Sequence, residues 1–180
     1  MSTYVALLRG INVGGNNKIK MIELKVLFES LGYTNVVTYI NSGNVIFETR
    51  KKDVSRLASE IQKGIKKKFK LNIPVVLRTQ KNIEKVCKKI PPDWVNDKDN
   101  KTDVMFLWDK FASKKTLKLI STNPKIDSLL YVDGAIIWHL KKKNYGKSKM
   151  NDIIGTEVYK NMTVRNINTV RKLATLMNRA

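Results

Sequence analysis

Apolar residues in the first half of the chain follow two spacings, one typical of buried strands and one typical of amphipathic helices. Residues 4–9, which are apolar up to Arg9, predict a strand that is buried on both faces. Runs at residues 36–40, 45–47 and 73–77 predict three more strands, the first two joined by a polar turn at residues 41–44. Two helices are predicted by the apolar positions Met21, Leu24, Leu27, Phe28 and Leu31, and by Val54, Leu57, Ala58, Ile61, Ile65 and Phe69. The predicted order, β-α-β-β-α-β, is that of the ferredoxin-like fold.

The second half of the chain predicts a similar series of elements. A helix at 82–89 ends before Pro91 and Pro92, and an alternating strand at 104–108 and a short helix at 117–120 follow. Two strands are then predicted at 129–132 and 135–140. The last helix has these apolar residues on one face: Ile167, Val170, Leu173, Ala174 and Met177. The dipeptide Asp133-Gly134 between the two later strands is typical of a tight hairpin turn. The resulting order, β-α-β-β-α, lacks only the final strand of the first half.

We therefore predict an α+β fold class with two packed ferredoxin-like (β-α-β-β-α-β) subdomains. The first is expected at residues 1–80, and the second, which ends in the C-terminal helix, at residues 81–180. A hydrophobic fraction of 42% over 180 residues is sufficient for a folded core and argues against intrinsic disorder.

Cysteine usage and apolar runs indicate where the protein resides. Cys87 is the only cysteine, so no intrachain disulfide can form and a reducing compartment is favoured. No apolar run approaches the length of a membrane span, and the first residues lack the layout of a secretory signal. We expect a cytoplasmic protein with no membrane partner; the sequence predicts no oligomeric state.

A large excess of basic side chains narrows the choice of partners. The formal net charge is +20, and the excess is present in both halves, with 14 basic and 5 acidic side chains in residues 1–80 and 21 and 10 in residues 81–180. Such a charge attracts nucleic acid, nucleotides or other anions. Lysine outnumbers arginine 28 to 7, which is also typical of compositional drift in an AT-rich genome, so both explanations stay open.

A glycine-rich loop follows the first predicted strand. Gly10 and Gly15 have the spacing of a Walker A loop, but Asn16 and Asn17 occupy the positions of its lysine and hydroxyl residue, which argues against nucleotide hydrolysis of that type. What remains is a cluster of backbone donors that is expected to form an anion cradle. We place Arg9, Asn12, Gly14, Gly15 and Lys18 in this candidate site. The alternative is that the glycines only permit a tight turn from strand to helix.

Two further polar stretches supply candidate ligand-binding residues. Ser42 and Asn44 lie at the turn before the third predicted strand, and an RNA-recognition motif has exposed aromatic residues on its third strand. Here Asn44 occupies the position of one such residue, and Phe47 is as likely to face the core. A base-stacking platform is therefore not expected. The other stretch is predicted to begin the last helix, with Thr163 as N-cap and Arg165 in the first turn. There Arg165 opposes the helix dipole, a penalty that a bound anion would reverse.

The sequence contains few other candidates for catalytic or metal-binding residues. His139, the only histidine, lies in an apolar strand and is expected to be packed or exposed at a sheet edge, not catalytic. Cys87 is expected to be a small core residue. No paired Cys/His spacing supports a zinc site, and no cofactor is predicted.

Three blocks of sequence, LRGINVGG at 8–15, YINSGNV at 39–45 and TVRNINTVRKL at 163–173, together resemble a widespread bacterial family, domain of unknown function sixteen-ninety-seven. The resemblance covers essentially the whole chain and implies paired ferredoxin-like α+β subdomains. It implies no established activity, cofactor or catalytic residue. The chain departs from the family pattern at Ile167, where tryptophan is common, and at Lys20, where proline often begins the first helix.

Three functional hypotheses follow. The leading one is a binding protein for a phosphate-bearing ligand, with RNA first among the candidates. The second is an enzyme that acts on a small phosphorylated or nucleotide substrate, in which Arg9, Lys18 and Arg165 hold the anion and Asn12, Ser42 and Asn44 orient it. Asn166, beside Arg165, is a further candidate ligand-binding residue. The third is an interaction module whose polar loops dock another protein.

Overall fold

The computed structural model describes residues 1–179 and divides into two compact units. The first unit comprises Met1–Lys81 together with the described residues from Leu173 onward, and the second comprises Asn82–Lys172. Each unit contains one four-stranded antiparallel sheet, which confirms the predicted α+β class. No helix within residues 1–179 is long and apolar enough to cross a membrane.

The first unit has the predicted ferredoxin-like order of elements. Its strands are β1 (Ser2–Leu8), β2 (Thr34–Tyr39), β3 (Asn44–Thr49) and β4 (Val75–Thr79), and its crossover helices are α1 (Met21–Ser30) and α2 (Val54–Phe69). In the sheet the strands lie in the order β2-β3-β1-β4, so the two strands that follow the helices occupy its edges. A further helix, α3 (Gln80–Lys89), follows β4 directly.

Aromatic side chains form the centre of the first unit's core. Phe47 is fully buried, and its ring lies 4.6 Å from that of Tyr33, 5.4 Å from Phe28 and 5.8 Å from Tyr4, measured between centroids. Each such pair contributes roughly 0.5–1.5 kcal/mol beyond the burial of its area. Because Phe47 is used in this cluster, β3 presents no exposed ring at that position to stack on a base.

The sequence of α2 contains a residue that caps its start, a buried apolar face and a residue that ends it. The Asp53 carboxylate caps its N-terminus by accepting a hydrogen bond from the Arg56 N–H at 3.0 Å. Leu57, Ile61 and Ile65 are buried at helical spacing, and Lys70 ends the helix in the left-handed conformation.

The second unit repeats the same sheet but connects its strands with shorter helices. Its strands are β5 (Asn100–Leu107), β6 (Ser128–Val132), β7 (Ala135–Lys141) and β8 (Met162–Asn166). The connections contain 3-10 helices at Asp109–Phe111, Lys114–Leu119, Lys142–Lys147 and Met150–Ile153, and the single-turn helix α4 (Glu157–Lys160). The strand order, β6-β7-β5-β8, matches that of the first unit. The last helix, α5 (Ile167–Met177), follows β8.

Strand β8 corrects the prediction for residues 163–166. Thr163 is not an N-cap, and Arg165 is not in the first turn of a helix, because both residues pair with β5, Thr163 with Phe106 and Arg165 with Val104. The helix begins at Ile167, and its cap is Asn166, whose Oδ1 accepts the Thr169 N–H at 2.9 Å. The argument that Arg165 opposes a helix dipole is therefore wrong, and the second unit has the final strand that its sequence did not predict.

Equivalent hydrogen bonds occur within each unit at the end of its first strand, and the strand order is also the same. The Leu8 N–H donates to the Gly43 carbonyl at 2.9 Å, and the Leu107 N–H donates to the Gly134 carbonyl at the same distance. Leu8 of β1 and Leu107 of β5 therefore occupy equivalent positions in the two sheets. The next residues, Arg9 and Trp108, donate to the Pro74 and Asn161 carbonyls, each at 3.0 Å.

A buried carboxylate holds the irregular connections of the second unit in place. Asp127 Oδ1 accepts hydrogen bonds from Ser148 Oγ at 2.6 Å and Trp138 Nε1 at 3.0 Å, and Oδ2 accepts from the Asn123 N–H at 2.7 Å. Burial by itself raises the pKa of the Asp127 carboxyl, but these hydrogen bonds and one from the Lys149 N–H outweigh burial, so the pKa lies below its usual value.

Asp127→Asn is expected to lower the free energy of unfolding of the protein by about 1–3 kcal/mol at neutral pH, because an NH2 donor replaces one of the two carboxylate oxygens that accept hydrogen bonds. Since the folded pKa of Asp127 is depressed, its contribution is present above the unfolded Asp pKa of about 4 and is lost as pH falls through the folded pKa. Urea unfolding of wild type and variant across the acid range measures this. The difference should shrink on acidification, whereas Asp152→Asn, at an exposed site, should show no such difference.

Candidate anion-binding cleft

The glycine-rich loop between β1 and α1 folds back on itself as a small hairpin. Its tip is a two-residue turn in which Gly14 and Gly15 both have positive φ, 58° and 79°, a conformation that glycine adopts without a steric penalty. The Asn16 N–H donates to the Val13 carbonyl at 3.1 Å across this turn. Within residues 1–179 the Gly14 and Gly15 N–H groups donate to no carbonyl, and both residues are exposed.

Asn12 fixes the base of this hairpin. Its Nδ2 donates to the Ile19 and Asn41 carbonyls, both at 2.9 Å, and its Oδ1 accepts the Ile19 N–H at 2.9 Å. The side chain thus joins the two ends of the loop and ties them to the turn between β2 and β3. Its φ of 54° is tolerated because asparagine enters the left-handed region more readily than most residues. Asn12 therefore positions the loop.

The β2–β3 turn reaches the loop because it contains glycine at position 43. A Cβ on Gly43 would lie 2.7 Å from Leu8 Cβ and 2.8 Å from Ile11 Cδ1, closer than real Cβ contacts allow. The turn is held internally by Asn44, which is fully buried and whose Nδ2 donates to the Tyr39 carbonyl at 2.9 Å and to Ser42 Oγ at 3.0 Å. Ser42 and Asn44 thus contribute hydrogen bonds that shape the turn.

An open cleft of about 560 Å³ lies where the loop, the start of α1 and the β2–β3 turn meet. Its lining residues are Asn12, Gly15, Lys18, Ile19, Lys20, Glu23 and Asn41. Two lysines face one carboxylate here, and Lys20 Nζ lies 3.8 Å from Glu23 Oε1 in an exposed ion pair that contributes little to stability. Helix α1 begins after Lys20 with no side-chain cap, so the positive end of its dipole adds to the lysine charges. The cleft is electropositive.

Of the predicted site residues, the first unit brings Asn12, Gly15 and Lys18 to the cleft lining, with Gly14 at the turn beside them. Arg9 is half-buried at the start of the loop, and its N–H continues the strand pairing by donating to Pro74. Sequence reasoning missed Lys20, Glu23 and Asn41. Only Lys20 gave a signal, because a lysine at a helix start in place of proline adds positive charge there.

Arg165 and Asn166 belong to the second unit, where they contact their own elements. Arg165 Nη1 donates to Thr163 Oγ1 at 3.0 Å and to the Val164 carbonyl at 2.8 Å, and burial lowers the pKa of the guanidinium to about 10. A guanidinium with that pKa is still charged at neutral pH. Asn166 is occupied as the cap of α5.

The contacts and burial of the sole histidine and the sole cysteine indicate structural roles for both side chains. The His139 ring stacks on that of Trp94, with centroids 5.1 Å apart, and its Nδ1 lies 2.9 Å from Thr102 Oγ1; burial lowers its pKa. Burial also raises the pKa of the half-buried Cys87 thiol, so the thiol is protonated at neutral pH. In the described part of the chain no three His, Cys, Asp or Glu side chains are grouped as metal ligands.

The fold and the cleft define a protein made of two α+β units of ferredoxin-like order. The chain belongs to the family described as protein of unknown function, DUF1697, whose model matches residues 1–138. It is similar over 98% of its length, and over 98% of the other chain, to the solved structure of a conserved bacterial protein from Streptococcus pneumoniae, with a TM-score of 0.84 and 25% identity. A comparison with curated proteins found no match.

Gly43→Ala is expected to displace the β2–β3 turn and lower the stability of the first unit. Two costs combine, a positive φ of 79° at a residue with a Cβ and the overlap with Leu8 and Ile11. The matched control is Gly32→Ala, where φ is 83° but no atom lies within 4 Å of the added Cβ. The control should cost about 1–2 kcal/mol, and Gly43→Ala about 1–3 kcal/mol more, in urea unfolding followed by circular dichroism. Equal losses in the two variants would show that the close approach is unimportant.

Proposed function

We propose that the protein binds RNA through its phosphate groups, with the cleft of the first unit as the principal contact. The observation that carries the proposal is the convergence of an exposed Gly14–Gly15 backbone turn, the side chains of Lys18 and Lys20, and the uncapped start of α1 on one open cleft. Backbone N–H groups, ammonium groups and a helix N-terminus are the groups with which proteins hold phosphate oxygens.

The basic residues of α2 support a polyanion as the ligand. Two further grooves lie along this helix, with volumes of about 390 and 510 Å³. Lys63 lines both, Lys66 lines the first, and Arg56 and Lys67 line the second. Shallow grooves with several cations suit successive phosphates of a strand better than one phosphate of a metabolite. With Phe47 in the core, β3 supplies no base stacking through that residue, so these contacts recognise the backbone of the ligand.

A small phosphorylated or nucleotide substrate is the alternative, and one observation favours it. The cleft volume of about 560 Å³ lies in the range of small-molecule sites. Of the residues expected to orient such a substrate, Asn12 has both amide hydrogens committed to backbone carbonyls, and Asn44 is fully buried. The groups left to hold it are Lys18, Lys20 and the glycine amides.

Replacing Lys18 and Lys20 together by alanine is expected to weaken binding of a single-stranded RNA oligonucleotide and to flatten its salt dependence. If each lysine neutralises one phosphate, the slope of log K against log salt should fall by about 1.4, since single strands release about 0.7 counterion per contact. Fluorescence anisotropy of a labelled oligonucleotide across a salt series measures both quantities.

The control is Lys114→Ala with Lys115→Ala, two exposed lysines of the second unit whose removal changes the net charge by the same amount. The control should keep most of the slope. An equal loss in both variants would mean that total charge, and not the cleft, binds RNA. Saturable thermal stabilisation by pyrophosphate that survives moderate salt and disappears in the Lys18/Lys20 variant would favour the small-substrate alternative.

A further inference from the structure

The second unit contains a cavity that the proposed phosphate site does not use. Its volume is about 240 Å³, and it opens on the sheet face that packs against the 3-10 helix Met150–Ile153. Tyr145, Ile154 and Val164, each at least 39% exposed, all line it. Exposed apolar side chains that converge on a concave surface mark a ligand site more strongly than scattered ones. A volume below the usual range for drug-sized ligands suits a single ring system.

This cavity exists because the second unit lacks a long helix over its sheet. In the first unit the connection between β3 and β4 is the 16-residue helix α2, which buries Leu57, Ile61 and Ile65. In the second unit the connection between β7 and β8 consists of two 3-10 helices and the single turn α4. The sheet beneath is therefore covered incompletely, and side chains of β5, β7 and β8 reach the cavity.

Asp103 stands where the first unit has a core aromatic residue. It lies four residues before Leu107, as Tyr4 lies four residues before the equivalent Leu8. Tyr4 pairs with Phe47 and is buried in the aromatic cluster, whereas Asp103 pairs with Trp138 and lines the cavity. A carboxylate that is only 8% exposed at such a position costs desolvation energy. Positions that break the packing pattern in this way are expected at functional sites.

The charged groups of the cavity present an acceptor and a donor side by side. Lys101 Nζ lies 2.8 Å from Asp103 Oδ2 and is 5.7 Å and 5.9 Å from the ring centroids of Trp138 and Tyr145. The cavity thus offers an aromatic wall, a carboxylate oxygen and an ammonium group within a few ångströms.

We propose that this cavity binds a guanine base. Guanine presents two adjacent donors, N1–H and the N2 amino group, next to the acceptor O6. A carboxylate accepts from the two donors, and a neighbouring ammonium donates to O6, which is the pairing that Asp103 and Lys101 offer. The planar ring packs against Tyr145 and over the methionines Met105, Met150 and Met162, whose flexible thioethers adapt to a flat ligand. The proposal concerns the base alone and does not depend on phosphate binding at the first unit's cleft.

Nucleosides test the proposal, because they carry no phosphate. Titration of the full chain with guanosine should quench part of the tryptophan fluorescence, since Trp138 is the one of the three tryptophans that lines the cavity, and saturation-transfer NMR should detect the bound ring. Inosine, which lacks only the N2 amino group, should bind about tenfold more weakly, and adenosine and uridine at least as weakly as inosine. Asp103→Asn should lower guanosine affinity at least about tenfold while preserving side-chain volume.

Two controls keep the result interpretable. Asp133→Asn removes the carboxylate of an exposed pair with Lys85, outside the cavity, and should leave guanosine binding unchanged. Tyr145→Phe keeps the ring and should bind, whereas Tyr145→Ala should not. The Lys18/Lys20 variant should bind guanosine like wild type, which separates a failure here from a failure of the RNA proposal. No saturation by guanosine, equal binding by Asp103→Asn, or equal affinity for all four nucleosides would overturn the assignment.

Discussion

The close approach of Gly43 to Leu8 is the constraint on which the cleft of the first unit depends. It allows the Leu8 N–H to bond the Gly43 carbonyl, and this bond brings the β2–β3 turn against the end of β1. Only then is the Asn41 carbonyl within reach of the Asn12 amide, which closes the glycine-rich loop through Ile19. The positions of Lys18 and Lys20 follow from that closure. A steric condition at one backbone position thus determines where the charges of the cleft lie.

The strands and helices of the first unit could be predicted from sequence because each shows its own period. The buried run of β1 and the helical spacing of Leu57, Ile61 and Ile65 are local signals, and both are confirmed. Strand β8 has no such signal, because its five residues alternate only partly and contain a threonine and an asparagine, which are typical of a helix start. Its pairing with β5, almost sixty residues earlier, decides its conformation.

The candidate site shows the same division between local and distant information. A glycine-rich turn with nearby cations is visible in the sequence. The hydrogen bond from Asn12 to the Asn41 carbonyl, 29 residues away, is not, and it turns a predicted ligand-binding residue into one that shapes the loop. Arg165 shows the opposite case, since a residue assigned to a helix surface lies in a strand with its guanidinium buried.

The two units also show how one plan can yield different surfaces. Their sheets share strand order and the hydrogen bonds at equivalent strand ends, yet their connections differ in length and type. Long helices seal one sheet over an aromatic core, and short 3-10 helices leave the other sheet partly open over a charged pair. The two units therefore differ in the segments that connect their strands, while the strand order of the sheet is the same.

Gly14 and Gly15, at the loop tip, tolerate an added side chain better than Gly43 does. No atom lies within 4 Å of a Cβ added at Gly14 or Gly15, so a side chain meets only the backbone requirement of a positive φ. Asparagine and aspartate satisfy that requirement at modest cost. A substitution can therefore change the charge at the tip without rebuilding the turn beneath it. An aspartate there would offset one lysine charge of the cleft, so this loop provides a stable base on which the charge of the site can change.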